Sequence, residues 1–234
     1  IALITIALLT SAIQLDRQAR VSPTYAAIVP KPFRAFAQAR VSAAAIAADN
    51  SGKALSEAEL LVRKRPIPAQ NLRLLATAQY RADMAVQSNL TIQYAARRGW
   101  RDPIPQEAMM RLALAAGDEA EAARRYLALF LNAQTPDDLL VEMGQRIFAD
   151  ENGDGRKTLT TVVAGASRWL PTFLRRGVRV LPNDVFAQTV VLAKQQGASF
   201  DCAQVEAAAN SLAKADPVGT SSEMLAALLE SECK

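Results

Sequence analysis

The sequence predicts an all-α protein, and its composition and residue spacing both support this fold class. Half of the 234 residues are apolar, with alanine and leucine the dominant types. Aromatic residues make up only 6%, and runs of β-branched residues are scarce. Small and apolar residues also recur at helical spacing along the chain. These features are typical of packed helices rather than of sheets.

The first residues predict a membrane anchor. Residues 1–15 read IALITIALLTSAIQL and carry no charged side chain. As a helix they would be about 22 Å long, which is shorter than the roughly 30 Å hydrocarbon core of a bilayer. Because the sequence does not begin with methionine, we interpret residues 1–16 as the second half of a transmembrane helix. The alternative is the apolar stretch of a signal peptide, which is cleaved after small residues.

The net charge of +4 arises directly after this segment. Between residues 16 and 40, Asp16 is the only acid, and the basic residues are Arg17, Arg20, Lys31, Arg34 and Arg40. The rest of the chain is neutral overall, so we expect membrane contact rather than nucleic-acid binding. Residues 17–34 form a proline-containing linker, which we interpret as a strut or a simple spacer.

Two residue types bear on the class and location of the protein. The chain has no histidine, which excludes Ser-His-Asp and Cys-His catalysis and histidine-ligated zinc. Cys202 and Cys233 are either one disulfide or two reduced thiols. The basic residues that follow the apolar segment favour a cytoplasmic body. A disulfide would instead favour an extracytoplasmic body, because disulfides persist in oxidising surroundings. We expect a single-pass protein of a bacterial-type membrane with a periplasmic body.

A repeat of 34 residues organises the middle of the chain. Writing 35–68, 69–102 and 103–136 beneath one another aligns three sets of small or apolar residues at helical spacing. These sets are Ala54 with Ser88 and Ala122, Ala58 with Ile92 and Tyr126, and Leu61 with Ala95 and Leu129. Small residues let paired helices approach closely, and stacked pairs bury each other's apolar faces.

This pattern resembles the tetratricopeptide repeat. Gly117 and Asp118 occupy the turn of the third unit, and Pro66 lies at the proline position that closes the first. The resemblance has departures, because Ser42, Ala76 and Met110 replace the glycine of the first helix. An alanine-rich helical bundle is the alternative. The resemblance implies an α-solenoid of antiparallel helix pairs over 35–136.

The resemblance also implies a concave surface formed by the first helix of each unit. Its candidate partner-binding residues are Gln70, Arg73, Thr77, Tyr80, Arg81, Glu107 and Arg111. Such polar, aromatic and cationic side chains suit an acidic or extended peptide. The alternative for each residue is an ordinary solvated helix face.

The C-terminal region, 137–234, predicts further helices, which we interpret as degenerate repeats and a cap. Trp169 and Phe173 lie four residues apart with Arg168, Arg175 and Arg176 nearby. Core packing with cationic edges is favoured there over an aromatic and basic docking patch.

One loop matches the first half of a calcium site. Asp150, Asn152 and Asp154 place oxygen ligands at alternating positions before Gly155. The second half of the loop does not match a calcium site, because Thr161 occupies the position where a bidentate glutamate is required. We therefore expect either weak calcium binding or a glycine-rich turn that joins two helices, and no other cofactor.

Together these features predict a non-enzymatic, membrane-anchored scaffold or accessory subunit that binds other proteins of a membrane complex. Photosynthetic, secretion and envelope-polysaccharide machinery all have a place for such a subunit. The alternatives are a metal-dependent, enzyme-regulating domain and a glycan-binding envelope domain.

Overall fold

The prediction of an all-α fold is confirmed. The computed structural model describes residues 1–215 and 219–233, and every regular element in these ranges is a helix. The chain divides into two compact units, Ile1–Pro105 and Gln106–Lys234. We call them unit 1 and unit 2 and describe each separately. The predicted organisation into segments ending at residues 16, 34 and 136 remains a prediction.

Unit 1 contains five long helices and two short 3₁₀ segments among its described residues. They are α1 (Ala2–Gln18), the 3₁₀ segments Pro23–Ala27 and Lys31–Phe33, α2 (Phe36–Ala47), α3 (Ser51–Lys64), α4 (Ala69–Arg81) and α5 (Ala85–Arg98). Helix α6 (Pro103–Ala115) begins at the end of this unit. Helices α2 and α3 pack as a pair, as do α4 and α5, and α3 also packs against α4.

Unit 2 arranges its helices in two rows. The remaining helices are α7 (Glu119–Phe130), α8 (Asp137–Ile147), α9 (Asp154–Ala164), α10 (Leu170–Val180), α11 (Asn183–Gln195), α12 (Cys202–Ala215) and α13 (Thr220–Glu232). One row consists of α7, α9, α11 and α13, each packed against the next. The other row consists of α8, α10 and α12. Such a two-layered arrangement is compatible with a helical-repeat fold.

The 34-residue period appears in the turn geometry. Asp49, Asp83 and Gly117 all have positive φ, at 54°, 58° and 74°. Each is the middle residue of a three-residue turn, and they lie 34 residues apart. Asn50 and Asp118 then cap the following helix, each accepting a hydrogen bond from the backbone N–H of its third residue. Chain reversal therefore recurs at the predicted spacing.

The aligned small residues lie inside the helix pairs. Ala54, Ala95 and Ala122 are fully buried, and Ser88 is 7% exposed. The hydroxyl of Ser88 on α5 donates a hydrogen bond of 2.8 Å to the carbonyl of Ala76 on α4. Side chains this small bring the two helix backbones close together, as the repeat pattern requires.

Helix α1 differs from the expected anchor. Its 17 residues are mostly exposed, yet Asp16 near its end is buried. The Asp16 carboxylate accepts hydrogen bonds of 2.9–3.1 Å from the backbone N–H groups of Ala35, Phe36 and Ala37, at the start of α2. Within the described residues no helix is both long and apolar enough to cross a membrane. The expected transmembrane helix is therefore not supported.

The segment expected as a linker packs against α2. Ala19, Ala26 and Val29 form a small buried cluster with Ala37. Arg34 donates a hydrogen bond of 2.7 Å to the carbonyl of Val29, which holds the second turn of the segment in place. These contacts place residues 19–29 against the start of α2.

The core of unit 2 is aromatic. Rings of Tyr126, Phe130, Phe173 and Phe186 follow one another at centroid distances of 5.6–6.4 Å, and each of these residues is fully buried. Trp169 packs edge-on against Phe173 at 6.1 Å. The pair predicted from sequence therefore contributes to core packing.

Candidate functional site

A cavity of about 570 Å³ in unit 1 is the main candidate site. Helices α2 and α4 supply most of its wall. We call it the arginine groove, and it is lined by Arg20, Phe36, Ala39, Arg40, Ala43, Arg65, Pro68, Gln70, Asn71, Arg73 and Leu74. The helical period brings these residues together, because positions three and four apart share one face.

The groove is strongly cationic. Four of its lining residues are arginines, and none of the described lining residues is acidic. Guanidinium groups bind carboxylates through paired, charge-assisted hydrogen bonds. The apolar part of the wall comes from Phe36, the alanines of α2 and Leu74. The arrangement therefore suits a segment that carries both carboxylate and apolar side chains.

Contacts within the groove hold three of the arginines in position. The guanidinium carbons of Arg20 and Arg65 lie 5.7 and 4.1 Å from the centre of the Phe36 ring. Arg40 donates a hydrogen bond of 2.9 Å to the carbonyl of Arg20. These contacts use a ring face and a carbonyl, so they leave the positive charges uncompensated by an acid.

The fourth arginine is partly neutralised. Arg73 forms an ion pair of 3.0 Å with Asp102, and their side chains are 27% and 10% exposed. Asn71 on the same helix donates a hydrogen bond of 2.8 Å to the carbonyl of Arg65. The start of α4 is thereby fastened to Arg65, directly after the end of α3.

The predicted partner-binding residues of α4 share one face but have different environments. Gln70 and Arg73 line the groove. Thr77 is half-buried and donates a hydrogen bond to the carbonyl of Arg73. Tyr80 is exposed, and Arg81 bonds the carbonyl of Ile46 and the carboxylate of Asp49. Arg81 therefore fastens α4 to the end of α2.

Two further predicted residues lie in unit 2. Glu107 and Arg111 on α6 form an ion pair of 3.0 Å with each other, four residues apart. Neither is among the residues that line the arginine groove. Their assignment to a partner surface remains a prediction.

Sequence reasoning did not identify most of the groove. Arg20, Phe36, Arg40 and Arg65 were not among the predicted binding residues. Arg20 and Arg40 belong to the basic stretch recognised in the sequence, which was the available signal. Their place in the groove depends on how residues 17–34 fold back against α2, which their spacing does not reveal.

The predicted calcium ligands lie at a small polar pocket of unit 2. This pocket, of about 310 Å³, is lined by Asp150, Asn152 and Asp154 together with Asp118 and Glu119. Asp150 accepts a hydrogen bond from the backbone of Asn152, and Asp154 pairs with Lys157 at 3.3 Å. Over residues 1–215 and 219–233, no group of three or more acidic, cysteine or histidine residues is placed to hold a metal ion. Calcium binding remains a prediction.

The glycine of this loop has a packing role. A Cβ atom on Gly155 would lie 2.5 Å from the backbone carbonyl oxygen of Ile147. Only glycine permits this approach of the first turn of α9 to the end of α8. This loop joins α8 and α9 closely, as expected for a glycine-rich turn between two helices.

The two cysteines are joined. Cys202 at the start of α12 and Cys233 after α13 form a disulfide, with their Cα atoms 5.8 Å apart. The bond links the outer ends of two helices that pack against each other.

Neither the family models, nor the curated proteins, nor the solved structures give a significant match to this chain.

Proposed function

We propose that this chain is a non-enzymatic, protein-binding accessory subunit, and that the arginine groove holds an acidic segment of a partner polypeptide. The observation that carries the proposal is the cationic lining of the groove, with four arginines and no acid among its described residues. Long-range attraction would speed the encounter with an acidic partner, and paired hydrogen bonds would hold its carboxylates.

Repeat geometry supports the assignment to tetratricopeptide-like repeats. Positive-φ turns recur every 34 residues, and small residues are buried at the aligned positions of the second helices. In such repeats the first helices form the binding surface, and here α2 and α4 line the groove. The proposed binding site and the proposed repeat thus agree in the helices they use.

Cross-linking tests this proposal directly. The probe is a glycine-spaced peptide with two aspartates, a leucine, a phenylalanine and one photoreactive benzophenone. With the full chain we expect adducts on α2 and α4. Replacing both Arg20 and Arg40 with glutamine should reduce the adducts on these helices roughly tenfold, as expected for lost charge-assisted contacts.

The matched control replaces two other exposed arginines of unit 1, Arg63 and Arg97, with glutamine. This pair should leave the yield of adducts on α2 and α4 unchanged. A probe in which asparagine replaces aspartate should react weakly with every variant. Equal yields from the aspartate and asparagine probes would rule out recognition of acidic segments.

We propose further that α1 attaches the protein to a membrane. Six of its large aliphatic side chains are at least 43% exposed: Leu3, Ile4, Ile6, Leu8, Leu9 and Ile13. Apolar surface of this extent is unfavourable in water. Arg17, in the last turn of α1, suits anionic lipid headgroups. The disulfide further supports an extracytoplasmic location, where the surroundings are oxidising.

Vesicle flotation tests the role of α1. Ile4 and Leu8 lie four residues apart on α1, and replacing both with glutamate should abolish flotation with vesicles that contain anionic lipid. The matched control replaces Val21 and Ile28, which are exposed at 84% and 63% outside α1. Flotation of the α1 variant at the level of the unsubstituted protein would contradict membrane attachment by this helix.

A further inference from the structure

A second cationic cavity lies in unit 2, on helices that do not contribute to the arginine groove. It measures about 520 Å³ and lies between α10 and the connection from α7 to α8. Apolar side chains of Phe130 and Leu131 form part of its wall. Three arginines of α10, Arg175, Arg176 and Arg179, form the cationic part. We call this cavity the α10 pocket.

Arg176 builds the pocket rather than facing a ligand. Its side chain is 12% exposed and forms an ion pair of 2.8 Å with Asp137. The same guanidinium donates hydrogen bonds to the carbonyls of Phe130, Asn132 and Thr135. These bonds fix the connection between α7 and α8 against α10. The wall of the pocket is therefore held in shape without a ligand.

The other two arginines are available to a ligand. Arg175 and Arg179 lie four residues apart on α10, so they share one face of the helix. Arg179 is 66% exposed and lies 3.5 Å from Asp137, whose carboxylate is already bound to Arg176. The Arg175 side chain is exposed and makes no hydrogen bond or ion pair with any residue that the structure describes. The described lining therefore contains three guanidinium groups and one carboxylate, so the pocket retains positive charge.

The wall also retains an unused polar group. Thr135 lines the pocket and is 5% exposed. Its buried hydroxyl has no hydrogen-bond partner among the described residues. Buried polar groups are normally satisfied, so this hydroxyl is an exception in the wall of the pocket.

We propose that the α10 pocket binds an acidic side chain of a partner peptide, with an adjacent apolar side chain against Phe130 and Leu131. Arg175 and Arg179 bind the carboxylate, and their spacing allows both guanidinium groups to reach it. The apolar half of the wall favours a peptide over an inorganic anion, because an inorganic anion has no apolar group to pack against it. This site is independent of the arginine groove and gives the chain a second point of contact.

The benzophenone peptide described above also tests this site, because the position of each adduct identifies where the peptide was bound. With the full chain we expect adducts within residues 130–137 and on α10. Replacing both Arg175 and Arg179 with glutamine should reduce these adducts roughly tenfold. Adducts on α2 and α4 should not change, so failure of one site is distinguishable from failure of the other.

The control pair for the α10 pocket is Arg146 and Arg168, two exposed arginines of unit 2. Replacing both with glutamine makes the same charge change and should leave the adducts in place. Unchanged adducts in the Arg175 and Arg179 variant, or equal adducts from the asparagine peptide, would overturn the proposal. So would displacement of the peptide by micromolar phosphate at constant ionic strength, since that would identify a phosphate site instead.

Discussion

At the scale of single residues, the environment of each arginine decides its role. Arg156 is 9% exposed and bonds the carbonyl of Phe148, the amide of Gln188 and the carboxylate of Asp184. Each of the three nitrogens of this buried guanidinium donates to a fixed partner, which fastens helices together. Arg175 has the same chemistry but is exposed and unpaired within the described part of the chain. Burial and partners therefore separate structural arginines from those available for binding.

Replacing Tyr126 with phenylalanine should stabilise unit 2 slightly. Tyr126 is fully buried, and its hydroxyl has no hydrogen-bond partner among the described residues. Burial also raises the pKa of this phenol, so it stays neutral. An unsatisfied buried hydroxyl costs about 1–3 kcal/mol, and removing it should increase the free energy of unfolding by up to about 1 kcal/mol.

Urea denaturation followed by circular dichroism measures this change. Replacing Tyr94 with phenylalanine is the control, because its side chain is 56% exposed and no change is expected. A loss of stability in the Tyr126 variant would mean that the hydroxyl makes a favourable contact.

The contribution of Glu121 should depend on pH. Partial burial raises the pKa of its carboxyl, but hydrogen bonds and charges from Arg124 and Arg125 outweigh this, so its pKa lies below the usual 4.5. A lowered pKa in the folded state means that the ionised form stabilises the fold. This stabilisation is complete above pH 4.5 and is lost as the pH falls through the folded-state pKa.

Replacing Glu121 with glutamine should therefore lower the unfolding temperature at neutral pH. The difference from the unsubstituted protein should shrink as the pH falls below 4.5. Thermal unfolding measured between about pH 3 and 7 checks this trend. A difference that is constant across this range would show that the charge of Glu121 is not the cause.

At the scale of elements, contacts distant in sequence define where helices begin and end. The residue before α2 is Ala35, whose methyl side chain cannot accept a hydrogen bond and so cannot cap the helix. Asp16, on α1, supplies the missing acceptor for three backbone N–H groups of that first turn. The start of α2 therefore depends on a residue about 20 positions earlier. The disulfide likewise joins residues distant in sequence, at the start of α12 and the end of α13.

Replacing Asp16 with alanine should destabilise unit 1 by about 1–2 kcal/mol, the usual cost of losing a helix cap. Urea denaturation of the full chain measures this effect. Replacing Glu59, an exposed acid of α3, changes the charge equally and should have little effect. If both variants are equally stable, the carboxylate of Asp16 does not hold the start of α2.

Replacing Cys202 and Cys233 with serine should destabilise the C-terminal helices. The bond closes a loop with a sequence separation of 31 residues. On the chain-entropy model, a loop of that length contributes about 3–4 kcal/mol. Thermal unfolding with and without a reducing agent measures the effect. The reducing agent should lower the unfolding temperature of the unsubstituted protein and leave that of the serine variant unchanged. Equal unfolding temperatures for both proteins would contradict a stabilising bond.

At the scale of the whole molecule, the two units differ in the side chains that fill them. Unit 1 is held by small clusters made mostly of alanine, such as Ala45, Ala54, Ala58 and Ala78. The cluster of unit 2 contains the large rings of Tyr126, Phe130, Phe148, Phe173 and Phe186. A large buried side chain removes more apolar surface from water than an alanine does. Unit 2 therefore has the more strongly stabilised core.

We expect this difference to appear in native-state hydrogen exchange. Amides of α9 and α11 should exchange more slowly than those of α4 and α5, because local opening is easier where fewer large apolar groups are buried. Mass spectrometry of peptides from the full chain measures both rates in one sample, so each unit serves as the control for the other. Slower exchange in α4 and α5 would contradict the ranking.

The sequence by itself determined the fold class, the spacing of the turns and two residues of the candidate site. Helix propensity and the period of small residues act over a few neighbours along the chain, so they can be read without the fold. Asp49, Asp83 and Gly117 show this, since the aligned turns share one backbone conformation. Gln70 and Arg73 follow from the resemblance to the tetratricopeptide repeat, and both line the groove.

Only the tertiary structure decided the rest. The arginine groove needs Arg20 and Arg40 beside α4, and the α10 pocket needs residues near 135 beside residues near 176. The burial of Asp16 likewise depends on α2. Each of these contacts joins residues far apart in sequence, and helical periodicity carries no information about which distant faces meet. The end of α1, the linker and both cationic sites therefore became visible only when the helices were packed.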